Sequence, residues 1–199
     1  MRATPWVVTA IAVFAAWRLY SSRDIEHSPG VLAPDDPEQQ EIDGAPTIPR
    51  GTFTLRPRAE FGATVRILGR EDYSLGELAS LVPTDFAVGW GPMSDSAVLE
   101  KVKISQSNRF YYWRTDTWPV SREAIETHSA NWHVIPGNEA VRSALRRVRV
   151  GNVVELHGEL VDIEGREGRM RTSLSRGDTG AGACEILLAT SARIIDAPP

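Results

Sequence analysis

Cys184, His133 and Asn131 are the residues of this chain whose types could combine for covalent chemistry: a thiol as nucleophile, an imidazole as base and an amide as orienting group. Cys184 lies in Asp178-Thr-Gly-Ala-Gly-Ala-Cys-Glu185. Asn131 and His133 lie in His128-Ser-Ala-Asn-Trp-His-Val-Ile-Pro136. Such a set would serve a cysteine-dependent hydrolase or acyltransferase. The plainer reading is a small buried cysteine in a strand and a histidine satisfied by backbone near a turn, because a free cysteine is commonly packed and inert.

Asp178-Thr-Gly-Ala181 matches the four-residue core of aspartic proteases and so resembles a retropepsin-like enzyme. A single copy of it would require a homodimer, in which two carboxylates share one proton. In that family an apolar strand leads into the aspartate, whereas Arg176-Gly177 does so here. The plain reading is a turn that uses Gly177, Gly180 and Gly182 for unusual backbone angles. His128 and His133 are weak candidates for metal ligation, since their spacing fits no common helical pair. No metal and no cofactor is expected.

Two further sets could bind rather than react. Arg142, Arg146 and Arg149 fall at i, i+4 and i+7 and would share one side of a helix, either solvated or facing acidic lipid or an acidic partner. In Phe110-Tyr-Tyr-Trp113 alternate side chains of a strand project to opposite sides, so Tyr111 and Trp113 form one candidate binding pair. Packing against the core is the commoner use of aromatics.

The elements that would position these residues are mixed. Phe61, Ala63, Val65 and Ile67 alternate with polar residues, which predicts a half-buried strand. Ser74-Leu-Gly-Glu77 reads as a capping box opening a short helix that Pro83 stops, and a second short helix is expected over residues 95–102. Ser121 and Asn138 cap a third and a fourth helix. In the fourth, Val141, Ala144, Leu145 and Val148 fall at i, i+3, i+4 and i+7. Residues 153–163, 170–175 and 184–195 read as strands around a turn at Glu164-Gly-Arg-Glu-Gly168. The result is one α+β domain over residues 51–199, with about four short helices. Its sheet is curved and mostly antiparallel, or closes into a small partly open barrel. Gly151-Asn-Val-Val-Glu-Leu-His-Gly158 resembles the opening strand of small OB-type barrels.

Ahead of this domain, Trp6–Trp17 is an apolar stretch, broken only by Thr9 and bracketed by Arg2 and Arg18. As a helix over residues 3–19 it would be about 25 Å long, against about 30 Å of hydrocarbon. Trp6 at one end, Trp17 and Tyr20 at the other, and poor small-residue cleavage sites favour a retained anchor over a cleaved signal. Residues 1–20 are therefore read as a single-pass transmembrane signal-anchor. Residues 21–50, with five prolines and a run of acids, are read as a disordered tether. The net charge of −4 gives no reason to expect nucleic-acid binding, and the single cysteine excludes an intramolecular disulfide.

Four stretches together are similar to a family of short bacterial membrane-anchored envelope proteins to which no activity is attached: Pro83–Asp95, Ile104–Trp113, His128–His133 and Thr172–Glu185. The resemblance implies an inner-membrane protein whose C-terminal domain faces the periplasm. It assigns no catalytic residue. The expectation from sequence is a non-enzymatic, membrane-tethered domain that binds an envelope protein or cell-wall component. The cysteine enzyme and the aspartic protease dimer stand as alternatives.

Overall fold

The computed structural model describes residues 23–166, 168–178, 180 and 182–195. Its elements are, in chain order, β1 (Glu38–Glu41), β2 (Ile48–Arg50), β3 (Phe53–Asp72), α1 (Glu77–Leu81), β4 (Thr84–Gly89), a 3₁₀ turn (Gly91–Ser94), α2 (Ser96–Leu99), β5 (Val102–Ser107), β6 (Phe110–Thr115), α3 (Arg122–Thr127), β7 (Ser129–Pro136), α4 (Glu139–Arg147), β8 (Val153–Gly165), β9 (Gly168–Met170) and β10 (Glu185–Ile195). The class is α+β, with four helices among the described residues and a curved sheet that is antiparallel except where β7 runs parallel to β10.

One long strand organises the sheet. From Phe53 to Ile67 the odd-numbered residues of β3 are buried, the alternation expected of a strand with one face in a core. Residues 54–66 of β3 pair with β8, and residues 66–72 pair with β4. Bulges between Pro57 and Ala59 and between Ile67 and Gly69 bend the strand so that both partners are reached. The chain of pairings then runs β4–β7–β10–β8 and returns to β3. Gly158 lets β8 and β10 approach: a Cβ there would lie 2.0 Å from the Leu188 carbonyl oxygen.

The two faces of the sheet carry different cores. Phe61, Val65, Phe86, Val88, Trp132, Val134 and Leu187 pack on one face with Val141, Leu145 and Val148 from α4. The Phe61 and Trp132 rings meet edge to face at 5.2 Å. Leu55, Leu81, Val82, Ile135, Ile163, Ile186 and Leu188 form a second cluster. A smaller third one, Met93, Val98, Val102 and Ile125, joins the α2 and α3 region to the hairpin β5–β6.

Local capping follows the sequence in part. Ser121 Oγ accepts from the Ala124 amide at 3.0 Å and Asn138 Oδ1 from the Val141 amide at 2.9 Å, so α3 and α4 open where their caps predict. The capping box at Ser74 does not form. Gly76 precedes α1 with φ 89° and supplies no side-chain cap, while the Glu77 carboxylate accepts from Thr52 Oγ1. The second helix is shorter than expected, because Val102 already belongs to β5.

The largest difference concerns the stretch read as a disordered tether. Its described part, residues 23–50, lies along the domain. β1 pairs with residues 59–62 of β3, and β2 pairs with residues 53–55. Ser94 Oγ accepts from the Leu32 and Ala33 amides, Trp90 Nε1 donates to Asp36 Oδ1 at 2.9 Å, and Ala33 is fully buried. Composition misled because the stretch is held mainly by strand pairing and scattered hydrogen bonds, with only Leu32, Ala33 and Ile48 packed on the cores, which a hydropathy argument does not weigh. The folded domain therefore begins well before residue 51. The apolar segment Trp6–Trp17 lies outside the described residues. No helix among the described residues is long and apolar enough to cross a membrane.

Ser94→Ala should leave the Leu32 and Ala33 amides without their acceptor and cost about 1–3 kcal/mol. In limited proteolysis of the unsubstituted protein, residues 32–41 should resist cleavage as the domain does, and Ser94→Ala should open them. Cleavage of this stretch at the rate of an unstructured peptide would contradict the packing.

Candidate functional site

Strand register assembles the site. Asp85 of β4 stands opposite His133 of β7, and Ala87 opposite Asn131. Ile186 of β10 stands beside His133 on the other flank, and Cys184 immediately precedes β10. With side chains alternating along each strand, Asp85, His133, Asn131 and Cys184 share one face of the sheet. His133 Nδ1 lies 3.0 Å from Asp85 Oδ1. The approach is electrostatic, because Nδ1 lacks hydrogen-bond geometry to any acceptor. His133 also interacts with the Cys184 side chain. With Nδ1 committed to Asp85, Nε2 is the ring nitrogen available to the thiol. Asn131 Nδ2 points to Cys184 Sγ at 3.9 Å.

Burial grades this row. Asp85 is fully buried, His133 is 4% exposed, and Cys184 is half-buried. Burial alone would push His133 down; the carboxylate of Asp85 and the Cys184 side chain outweigh it, and the pKa rises to about 9.

The hairpin β5–β6 closes over the row. At its tip Asn108 and Arg109 have φ of 53° and 70°, an uncommon conformation for residues other than glycine. The turn sends Arg109 inward, where Nη1 donates to Asp85 Oδ1 at 3.0 Å and the guanidinium lies 3.6 Å from the Tyr73 ring centroid. The Arg109 amide donates to Tyr73 Oη, and the Arg109 carbonyl accepts from Asn131 Nδ2. Gln106 Nε2 donates to Asn131 Oδ1 at 2.9 Å. Gly69 leaves room for that glutamine, since a Cβ there would lie 2.6 Å from Gln106 Oε1.

Cys184 opens onto a cleft of about 470 Å³. Asn131, Cys184 and the aromatic run Phe110 to Trp113 line it. Arg176, Asp178 and Glu185 line it as well. Glu185 is 2% exposed, and its carboxylate accepts from Arg176 Nη1. Burial pushes this carboxyl up to about 7, with Arg176 pulling the other way.

Of the residues singled out from sequence, Cys184, His133 and Asn131 come together. Asp178 lines the same cleft, in the loop before β10, and its Oδ2 accepts from Ser173 Oγ at 2.7 Å. His128 does not join His133. It ends α3, contacts the Ala124 carbonyl through Nδ1, and lies 6.3 Å from the Trp90 ring. Among the described residues no group of three or more His, Cys, Asp or Glu could hold a metal ion. Tyr111 and Trp113 do face the cleft, but Tyr111 Oη donates to the Ser129 carbonyl and Trp113 packs edge to face on Trp118 at 6.0 Å. Arg142 and Arg146 pair with Glu139 on α4. Arg149 does not share their face, because the helix ends at Arg147 and Val148 is extended.

Asp85, Arg109, Arg176 and Glu185 were not found from sequence. The available signal was Asp85 itself, a lone acid at the start of the apolar run Phe86-Ala-Val-Gly89. Comparison with protein-family models, curated proteins and solved structures gives no match.

The perturbed groups set a pH dependence. Glu185 keeps its proton up to about pH 7 in the folded protein but loses it near 4.5 when unfolded. His133 keeps its proton up to about 9 when folded and loses it near 6.5 when unfolded. In both windows the folded state binds more protons, so stability falls as pH rises. Denaturant midpoints should therefore decline between pH 5 and 9. Glu185→Gln should flatten the lower half of that decline, and an unchanged slope in this variant would contradict the assignment.

Proposed function

We propose that this protein is a cysteine-dependent acyl hydrolase or acyltransferase, with Cys184 as nucleophile, His133 as acid–base and Asp85 as the group that orients and charges His133. One observation carries the reading: the thiol, imidazole and carboxylate follow one another from the cleft into the buried sheet, with rising burial. A cysteine that merely fills a core has no use for a buried imidazole–carboxylate pair beside it.

The chemistry balances with water alone. The sulfur attacks the acyl carbonyl carbon while its proton resides on His133, and a C–S bond forms. Collapse breaks the bond to the leaving alcohol or amine, which takes that proton. Water then attacks the thioester, giving its proton to His133, and the acid leaves as the sulfur is restored. An alcohol or amine in place of water makes the protein a transferase. Asn131 Nδ2 has one N–H on the Arg109 carbonyl and the other towards Cys184, a position for a donor to the developing oxyanion.

Two settings belong to this proposal. The closed order of pairings through β3, β4, β7, β10 and β8, with α4 between β7 and β8, supports a small five-stranded barrel of OB type. The apolar segment Trp6–Trp17 supports attachment to a bacterial inner membrane with the domain in the periplasm. A second reading, the non-enzymatic binding domain, draws on Phe110 and Tyr112, large exposed aromatics that line the cleft.

A panel of activated esters offered to the full chain separates the two. Turnover should fall at least ~10²-fold in Cys184→Ala and by about 10–10²-fold in Asp85→Asn, where His133 loses its charged partner. Turnover that survives Cys184→Ala, or no turnover of any ester, would favour the binding domain.

A further inference from the structure

The cleft holds one cation whose direction is fixed from three sides. Arg176 Nη1 donates to the buried carboxylate of Glu185, and Nη2 donates to Gln39 Oε1 at 2.7 Å. The guanidinium lies 5.2 Å from the Phe61 ring centroid. These partners come from β10, β1 and β3, while Arg176 itself stands in the loop before β10. The side chain is 26% exposed and lines the same cleft as Cys184. A guanidinium has five N–H donors in a rigid fork, and these two bonds use two of them. Glu185, the first residue of β10, directly follows Cys184, so the residue next to the sulfur positions the guanidinium.

The other charged groups of the cleft do not duplicate this arrangement. Arg122 is 72% exposed and paired with Glu126 at 2.8 Å, a surface ion pair of little energetic value. Asp178 is held by Ser173. Among the described residues of the cleft, Arg176 alone combines a buried counter-carboxylate, an amide acceptor and an aromatic support.

We propose that Arg176 anchors a carboxylate on the acyl group delivered to Cys184, so that the substrates are acyl compounds bearing a second, anionic end. The inference rests on the cysteine reading above. A bidentate guanidinium–carboxylate bond fixes orientation as well as position. It would hold the chain across the cleft with its carbonyl over the sulfur.

The test compares two activated esters of equal length on the full chain in mild detergent: 4-nitrophenyl hydrogen glutarate, with a terminal carboxylate, and 4-nitrophenyl valerate, without one. The unsubstituted protein should show kcat/KM at least tenfold higher for the glutarate ester, mainly through KM. Arg176→Gln should lower the glutarate value at least tenfold more than the valerate value. Arg176→Lys, which keeps the charge without the fork, should fall between. The ratio within one preparation does not depend on how much of a variant is folded. Equal losses for the two esters, or no preference in the unsubstituted protein, would make Arg176 a tie between loop and sheet and overturn the anchor. Acylation of Cys184 by both esters, read by intact mass, would then leave the cysteine reading standing. No acyl adduct with either ester would overturn both.

Discussion

The buried carboxylate of Asp85 is the constraint around which the site is built. It sits fully buried in the middle of the sheet, where an unpaired charge would cost several kcal/mol even after relaxation. Two cations answer it through the same oxygen: Arg109 at 3.0 Å and His133 at 3.0 Å. Neither partner is local in sequence. His133 arrives by strand register, and Arg109 arrives only because the β5–β6 tip accepts positive φ at two residues that are not glycine. Backbone strain of order 1–3 kcal/mol per residue is tolerated where the surroundings over-determine it. Here the aromatic ring of Tyr73, the amide of Asn131 and the carboxylate all hold the same arginine.

From this point the arrangement runs outward in both directions. Asp85 keeps His133 charged, and His133 stands beside Cys184 in the cleft. On the other side Arg109 ties the hairpin down, and the hairpin supplies the aromatic lining of that cleft. Charge pairing at the row and the placement of the hairpin over it thus meet at one buried group. A second buried acid, Glu185, does the same for Arg176 in the cleft that Cys184 also lines.

Much of the local structure was legible in the sequence. The caps at Ser121 and Asn138 and the apolar stripe Val141, Leu145, Val148 are short-range signals, and the helices begin where they place them. The alternation in β3 was equally plain, though its 20-residue length depends on two bulges that pattern alone does not reveal. Cys184, His133 and Asn131 could be named as chemically able, but their meeting depends on a parallel β7–β10 pairing between distant strands. Asp85 and Arg109 stayed hidden because their partners are more than twenty residues away. Residues 23–50 misled for the opposite reason. Their composition is that of a free linker, and they are held by backbone bonds to Ser94 and by edge pairing with β3.

The most direct measurement of the central claim is the rate at which iodoacetamide modifies Cys184 at neutral pH, followed by intact mass. The comparison is between the folded protein, the same chain unfolded in urea, and folded His133→Gln. A sulfur served by the His133–Asp85 pair should react at least tenfold faster in the folded protein than in the unfolded chain, and His133→Gln should remove that advantage. A folded-state rate below that of the unfolded chain would show Cys184 to be an ordinary packed thiol and would contradict the account.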